Sequence, residues 1–303
     1  MEYGPGPGWI IGSSDGGNDW RLLVTTPQTW YASIACPTTT TCLTVGGAGG
    51  AGQTNDPVVL VTTDAGEHWS HQAVPPQVGA LFGIACPSSD TCLAVPGIAR
   101  TTNGGVTWSV ENTPTGFGSG SLDSVTCPTS SFCVLGGSGP GAGPTPALAS
   151  VSHDAGASWS TAVSVGGSTG LGPISCTDTQ HCVGLVEGDA TNSYGTALPT
   201  VTADGGTTWR EGSPTIGQAV SCVAAFCVSV GGLWTGTVAN ASDTNTYPAE
   251  AFVSTDSGAD WVKTQISDPY SLTAVTCLST VDCIAVGGDF PNPGPGVIMN
   301  YGE

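Results

Sequence analysis

Six carboxylate- or amide-bearing side chains recur at a fixed place in this chain, and they are the first residues that could do chemistry. Asp15, Asp64, Asn103, Asp154, Asp204 and Asp256 each stand third in an eight-residue box: SSDGGNDW (13–20), TTDAGEHW (62–69), TTNGGVTW (101–108), SHDAGASW (152–159), TADGGTTW (202–209) and STDSGADW (254–261). A carboxylate can act as a general acid or base, but one chain does not need the same catalytic group six times. The box has a sufficient local role instead. Its carboxylate accepts hydrogen bonds from backbone N–H groups just ahead and so fixes a turn. The glycine two residues on permits a positive φ. The closing tryptophan starts the next strand with a large apolar surface to bury. The boxes therefore read as structural turns.

Sulfur is the second chemical element of the repeat. The cysteines fall into pairs at Cys36/Cys42, Cys86/Cys92, Cys127/Cys133, Cys176/Cys182, Cys222/Cys227 and Cys277/Cys283, which uses all 12. Each pair lies between two short strand-like runs, such as YASIAC and CLTV, and so at the feet of a tight hairpin. Opposed strand residues lie about 4.5–5.5 Å apart at Cα, which suits a disulfide. Each bridge closes a short loop and contributes about 2 kcal/mol by chain entropy. Zinc ligation is the competing reading, but it favours closer spacings and often histidine. His68, His71, His153 and His181 follow no repeat position. His68 and His71, three apart on an expected strand, should point to opposite faces. No metal and no cofactor is expected.

The elements that position these residues follow from the repeat. Boxes return about every 50 residues, a period that marks a solenoid, propeller or array. Four short strands per period, with no helical periodicity, describe a propeller blade. The expected fold is all-β, a single six-bladed propeller over 1–303 with four-stranded antiparallel blades. Full blades are expected at 31–74, 80–113, 121–163, 171–212 and 217–266. The half-blade 1–26 is expected to supply the third and fourth strands that complete 272–301, closing the ring without a large open edge. The segment VIMNY at 297–301 follows Gly-Pro-Gly, as WIIGSS does at the N-terminus, so both fit the same third-strand position. Strand reversal puts the cysteine hairpins and boxes at one end of every blade. Loops of variable length and sequence then gather at the other end, where binding residues usually collect.

Composition restricts the partners. The net charge is −19 with four basic residues, Arg21, Arg100, Arg210 and Lys263. Nucleic acid, which needs a cationic face, is excluded as a partner, and so is an anionic membrane surface. No apolar run approaches the ~20 residues of a membrane span, so no membrane insertion is expected. Paired cysteines imply an oxidising compartment, extracellular or at the cell surface. The opening MEYGPGPG lacks the basic and apolar regions of a signal peptide, so the chain reads as a mature or excised segment of a longer exported protein.

The pattern S/T-x-D-x-G-x-x-W resembles the Asp-box, or bacterial neuraminidase repeat, of β-propellers. That group includes sialidases, xyloglucan-cleaving glycosidases, sortilin-type receptors and photosystem II assembly factors. The resemblance covers essentially the whole chain and implies the propeller fold with a structural box. Asn103 departs from the pattern and is expected to weaken its turn. The cysteine hairpins also resemble repeats in exported proteins of high-GC bacteria. A sialidase would need three arginines near the axis, yet Arg21 and Arg210 directly follow box tryptophans on outer strands and Arg100 lies on a third strand.

Two kinds of site remain at the variable end. A glycoside hydrolase needs two carboxyl groups roughly 5–9.5 Å apart, and the candidates are Asp56, Glu187, Asp189, Asp243, Asp268 and Asp289. A binding surface needs aromatic planes beside amides and carboxylates. Trp234, Tyr194 and Tyr247 supply the planes, and Asn192, Asn240, Asp243 and Asn245 the polar groups. Small residues on the inner strands (Ser33, Gly83, Ser124, Pro173, Ala219, Ala274) are read as serving close strand packing. The expected function is non-catalytic recognition or scaffolding, with a glycan or extracellular protein as partner. A glycoside hydrolase using two loop carboxylates is the alternative. The third reading is a self-assembling structural subunit that pairs through its C-terminal strand.

Overall fold

Each cysteine pair founds a sheet. The computed structural model describes residues 8–15, 19–49, 56–141, 144–167, 170–187, 196–213, 215–232, 249–264, 266, 271–288 and 297–301. The chain divides into two compact units, Met1–Leu135 with Ser150–Ala162 and Gly136–Ala149 with Val163–Glu303. The first unit opens with a two-stranded sheet, β1 (Gly8–Gly12) and β2 (Arg21–Thr26). Next comes a four-stranded sheet of β3 (Thr29–Ala35), β4 (Cys42–Ala48), β5 (Asp56–Thr62) and β6 (Ser70–His71). The following sheet contains β7 (Gly83–Ala85), β8 (Cys92–Val95), β9 (Ala99–Thr101) and β10 (Ser109–Val110). The boundary between units falls within the sheet of β11 (Leu122–Thr126), β12 (Cys133–Ser138), β13 (Ala147–Ser152) and β14 (Val163–Gly166).

The second unit continues the plan. Its first sheet orders β15 (Leu171–Cys176), β16 (Cys182–Glu187), β17 (Thr196–Thr202) and β18 (Arg210–Glu211), with β19 (Thr215–Ile216) also pairing with β17. The next orders β20 (Ala219–Val223), β21 (Phe226–Gly232), β22 (Ala249–Ser254) and β23 (Val262–Thr264). The last has three strands, β24 (Ser271–Ser279), β25 (Asp282–Gly288) and β26 (Val297–Tyr301). All pairings are antiparallel, and the one helical element described is the 3₁₀ turn Pro76–Val78. No described helix is long and apolar enough to cross a membrane.

Strand alternation builds the cores. In the first unit Leu43, Val45, Val59 and Val61 from β4 and β5 pack on Leu81, Ile84, Cys92 and Ala94 of the following sheet. In the second, Val183, Leu185 and Val201 meet Val220 and Cys227, while Val228, Val230 and Ala251 meet Leu272, Cys277 and Ala285. Each fully buried Leu or Val contributes about 1.5–3 kcal/mol. First strands also join through hydroxyls. Ser33 Oγ accepts the Ile84 N–H at 3.4 Å, Ser175 Oγ that of Cys222 at 2.9 Å, and Ser221 Oγ that of Cys277 at 3.0 Å. A Cβ on Gly83 would lie 3.1 Å from Val95 Cγ2. Ser33 and Gly83 are thus used in strand packing.

Two details depart from the sequence reading. The third position on β25 is taken by Val297–Tyr301, with Cys283 opposite Tyr301, while Gly8–Gly12 pairs with β2. The two segments suit the position equally by pattern, and β26 reaches it through a local connection that costs little loop entropy. The outer strands are also shorter than the apolar runs suggest. β6 spans only Ser70–His71, so His68 belongs to the box turn rather than to a strand.

Candidate functional site

Register places both repeated turns at one end of each sheet. Cys42, Cys92, Cys182 and Cys227 stand opposite Thr62, Thr101, Thr202 and Ser254, the first residues of their boxes. All six disulfides form inside their own hairpins, with Cα separations of 3.9–4.1 Å. A backbone bond then staples the two turns together. The fourth box residue donates its N–H to a carbonyl of the cysteine loop: Ala65 to Thr40, Gly104 to Asp90, Ala155 to Ser131, Gly205 to Gln180 and Ser257 to Ala225, at 2.8–3.0 Å.

Inside the five fully described boxes the hydroxyl, the third residue and the backbone satisfy one another, while the indole N–H groups of Trp69, Trp159 and Trp209 are buried without a hydrogen-bond partner. The buried hydroxyls of Thr62, Thr101, Ser152, Thr202 and Ser254 accept the N–H of Gly66, Gly105, Gly156, Gly206 and Gly258 at 2.8–3.0 Å. The same hydroxyls donate to Oδ1 of the third residue at 2.7–2.9 Å. That Oδ1 also accepts the N–H of the seventh residue at 2.8–3.0 Å. Trp108 and Trp261 donate Nε1–H to the box glycine carbonyl at 3.0 and 2.9 Å. The box carboxylates are therefore occupied as turn acceptors.

These bonds set the acid response. Hydrogen bonds from His68 hold Asp64 at about 2, those from Ser158 hold Asp154 at about 2, and those from Thr208 hold Asp204 at about 2. Their folded values lie below the ordinary carboxylate value of roughly 3.9. Their contribution is therefore present above about pH 4 and is lost as pH falls from about 4 to about 2. Thermal melts from pH 5 to 2 should hold to about pH 4 and then fall. A variant with Asn at 64, 154 and 204 should lose part of that slope, since Asp178 and Asp256 are also held low by their hydrogen bonds.

Asn103 keeps its turn rather than weakening it. Its Oδ1 accepts from Thr101 Oγ1 and the Thr107 N–H, both at 2.9 Å, and its Nδ2 donates to Thr107 Oγ1 at 2.8 Å. In the fourth box the outer bond runs the other way, from Ser158 Oγ to Asp154 Oδ2 at 2.5 Å. A rotating hydroxyl suits either polarity. Asn103→Asp is expected to change stability at pH 7 by less than about 0.5 kcal/mol, measured by chemical denaturation.

The box also uses a conformation the sequence reading did not assign. The fourth residue is left-handed as well as the fifth, with φ of 58° at Ala65, 56° at Ala155 and 60° at Ser257. A Cβ there costs roughly 1–2 kcal/mol, and glycine already holds this place at Gly104 and Gly205. Ala155→Gly is expected to raise stability by about 0.5–1 kcal/mol once the added freedom of the unfolded chain is subtracted.

Most of the candidate residues read from the sequence fall outside what the structure describes. Asp189, Asn192, Tyr194, Trp234, Asn240, Asp243, Asn245, Tyr247, Asp268 and Asp289 lie outside the described residues, and Glu187 is described only in its backbone, at the end of β16. Asp56, at the start of β5, is exposed. Arg21 pairs with Glu67 at 3.0 Å, Arg100 Nε donates to the Ala155 carbonyl at 3.0 Å, and Arg210 begins β18. Of the histidines, His68 Nδ1 lies 2.7 Å from Asp64 Oδ2, His181 Nδ1 lies 2.9 Å from Asp178 Oδ2, and the His153 ring packs on Phe132. Among the described residues no group of histidine, cysteine and carboxylate side chains is arranged to hold a metal ion.

Two features were missed in the sequence. In the first unit Trp30 and Phe82 stack with ring centroids 5.0 Å apart and planes tilted by 32°. Both precede the apolar run of a first strand, at the end away from the boxes, because Trp30 is opposite Gly47 and Gly83 is opposite Val95. Phe82 is 54% exposed. The readable signal was an aromatic residue at the mouth of two successive first strands. In the second unit Glu250 is 8% exposed, and its Oε1 lies 2.6 Å from Nζ of Lys263. Its Oε2 is buried without a hydrogen-bond partner. It is the buried carboxylate among the described residues. Counting back from the first box residue, Glu250 takes the place held by Val58 on β5, so a charge in an apolar strand run was the signal.

No family model matches the chain, and no curated protein matches it. Solved structures do. YCF48 bound to D1 peptide is similar at 11% identity and a TM-score of 0.52, over 97% of this chain and 95% of that one. The GH74 xyloglucanase of Xanthomonas campestris is similar at 14% identity and a TM-score of 0.58, over 88% of this chain and 46% of that one. The α-L-arabinanase of Penicillium chrysogenum with arabinobiose is similar at 11% identity and a TM-score of 0.56, over 100% of this chain and 87% of that one. The likeness is one of fold, the β-propeller.

Proposed function

We propose that this chain is an Asp-box propeller serving as the recognition module of an exported protein, binding a glycan or an extracellular protein on the end of its sheets away from the boxes. The observation that carries this reading is the Trp30–Phe82 pair, an exposed aromatic plane at the mouths of two successive first strands. Such planes accept the apolar face of a sugar ring or the side chain of an extended peptide. Register adds support, since it commits the other end of each sheet to the stapled turns. Among similar folds, one carries the D1 peptide and another arabinobiose. Six disulfides suit an oxidising, extracellular setting. The test is a glycan and peptide array read with the wild type, Phe82→Ala and Trp234→Ala. Specific signal that drops at least tenfold in either variant supports the reading, and signal unchanged in both removes it.

A glycoside hydrolase is the second reading, and Glu250 favours it. A buried carboxylate with one oxygen held by Lys263 and the other unpartnered is the kind of group that catalysis uses. Hydrolysis of arabinan or xyloglucan that disappears in Glu250→Gln, with melting unchanged, would replace recognition with catalysis.

A further inference from the structure

Most sheet edges in this chain are protected. Outer edge strands are two to four residues long: β6, β10, β14, β18 and β23. First-strand edges lean on the next first strand through the serine bonds from Ser33, Ser175 and Ser221. Short or covered edges are the usual defence against pairing with another chain.

Two uncharged edges escape this rule; β2, the six-residue partner of β1, carries Arg21 in an ion pair with Glu67. β1, GWIIG, pairs on one side with β2, and its Gly8 end abuts the Thr29 carbonyl of β3. Trp9 and Ile11 are 65% and 44% exposed, with Leu22 of β2 60% exposed beside them. β26, VIMNY, pairs on one side with β25 and exposes Ile298. Each is five residues long, uncharged and free of proline, although the chain as a whole carries a charge of −19. β26 also ends its sheet where a box-bearing strand stands in the others, since Tyr301 occupies the place of Thr62 or Ser254 opposite the second cysteine. β1 has the complementary shortage: it leads into a box but has no cysteine hairpin in its sheet.

We propose that the chain associates head to tail, the open edge of β26 in one copy pairing with the open edge of β1 in a second copy. The pairing is β-strand addition: main-chain N–H and C=O groups of two uncharged five-residue strands satisfy each other, and the exposed Trp9, Ile11 and Ile298 side chains are covered. Because the two edges differ, the contact is heterologous, and each added copy presents a fresh pair of edges. Repulsion between acidic copies opposes it and is screened within about 8 Å at 0.15 M salt. The association is independent of ligand binding at the aromatic pair, so either reading can fail alone.

The experiment is sedimentation velocity from micromolar to millimolar protein at 0.15 M salt, with wild type, Trp9→Lys, Ile298→Lys and an equimolar mixture of the two variants. An edge lysine blocks strand addition, and both positions are exposed, so thermal melting checks that each variant folds as the wild type does. The expected result is a wild-type mass that climbs past the dimer with concentration, each variant alone remaining monomeric, and the mixture stopping at a 1:1 dimer. In that dimer the intact β26 of Trp9→Lys meets the intact β1 of Ile298→Lys. A wild type that stays monomeric throughout overturns the proposal, as does association that either variant leaves intact.

Discussion

Gly258→Ala is expected to cost about 2–4 kcal/mol of stability, lowering the denaturant midpoint without changing the slope. Two effects add. The residue sits at φ 85°, where any Cβ is strained, and a Cβ built there would lie 2.5 Å from Cγ2 of Val183 and 3.2 Å from Cγ1 of Val201. Those valines are core residues of the preceding sheet, so the box glycine is also the point at which one sheet touches the next. The same contact recurs elsewhere: Gly105 against Leu43 and Val61, and Gly156 against Leu93. A double variant separates the two effects. Val183→Ala removes the clashing methyls, so Gly258→Ala made in that background should cost at least about 1 kcal/mol less. Equal costs in both backgrounds would mean that backbone strain alone is responsible.

Reduction of the disulfides is expected to unfold the protein at room temperature. Each bridge contributes about 2 kcal/mol, and the six together rival the roughly 5–15 kcal/mol that separates a typical domain from its unfolded state. Removing one hairpin bridge, by Cys222→Ala with Cys227→Ala, should cost about 2 kcal/mol and leave the other five bridged sheets formed, because each bridge lies within its own hairpin. Circular dichroism during titration with a thiol reductant reads the first result. A native spectrum with all 12 thiols free would contradict it.

The fold was legible because its signals are local and repeated. A carboxylate, a glycine and a tryptophan at fixed spacing define a turn wherever they occur, and cysteines six apart between apolar runs define a hairpin without reference to the rest of the chain. The choice between β1 and β26 for the last third-strand position was not legible, because Trp9–Ile11 and Val297–Met299 follow the same Gly-Pro-Gly and carry equivalent patterns. Connectivity decides it, and pattern does not report connectivity. The left-handed fourth box residue was hidden because alanine and serine carry no signature of positive φ. Its cause, the bond from Ala65, Ala155 or Ser257 to the cysteine loop, joins residues 24–32 apart in sequence. At the candidate site, attention to long loops passed over Trp30, Phe82 and Glu250, which belong to the strand ends. Their signals were an aromatic or a charge set into an otherwise apolar run.

Native-state hydrogen exchange at the box glycines is the most direct test of the central claim that stapled turns hold the sheets. The amides of Gly66, Gly105, Gly156, Gly206 and Gly258 donate to buried hydroxyls. They are expected to exchange as slowly as the central strands β4, β8, β12, β16 and β21, and to lose protection together with those strands when the disulfides are reduced. Box amides that exchange at loop rates while the central strands stay protected would show that the turns decorate the sheets rather than hold them.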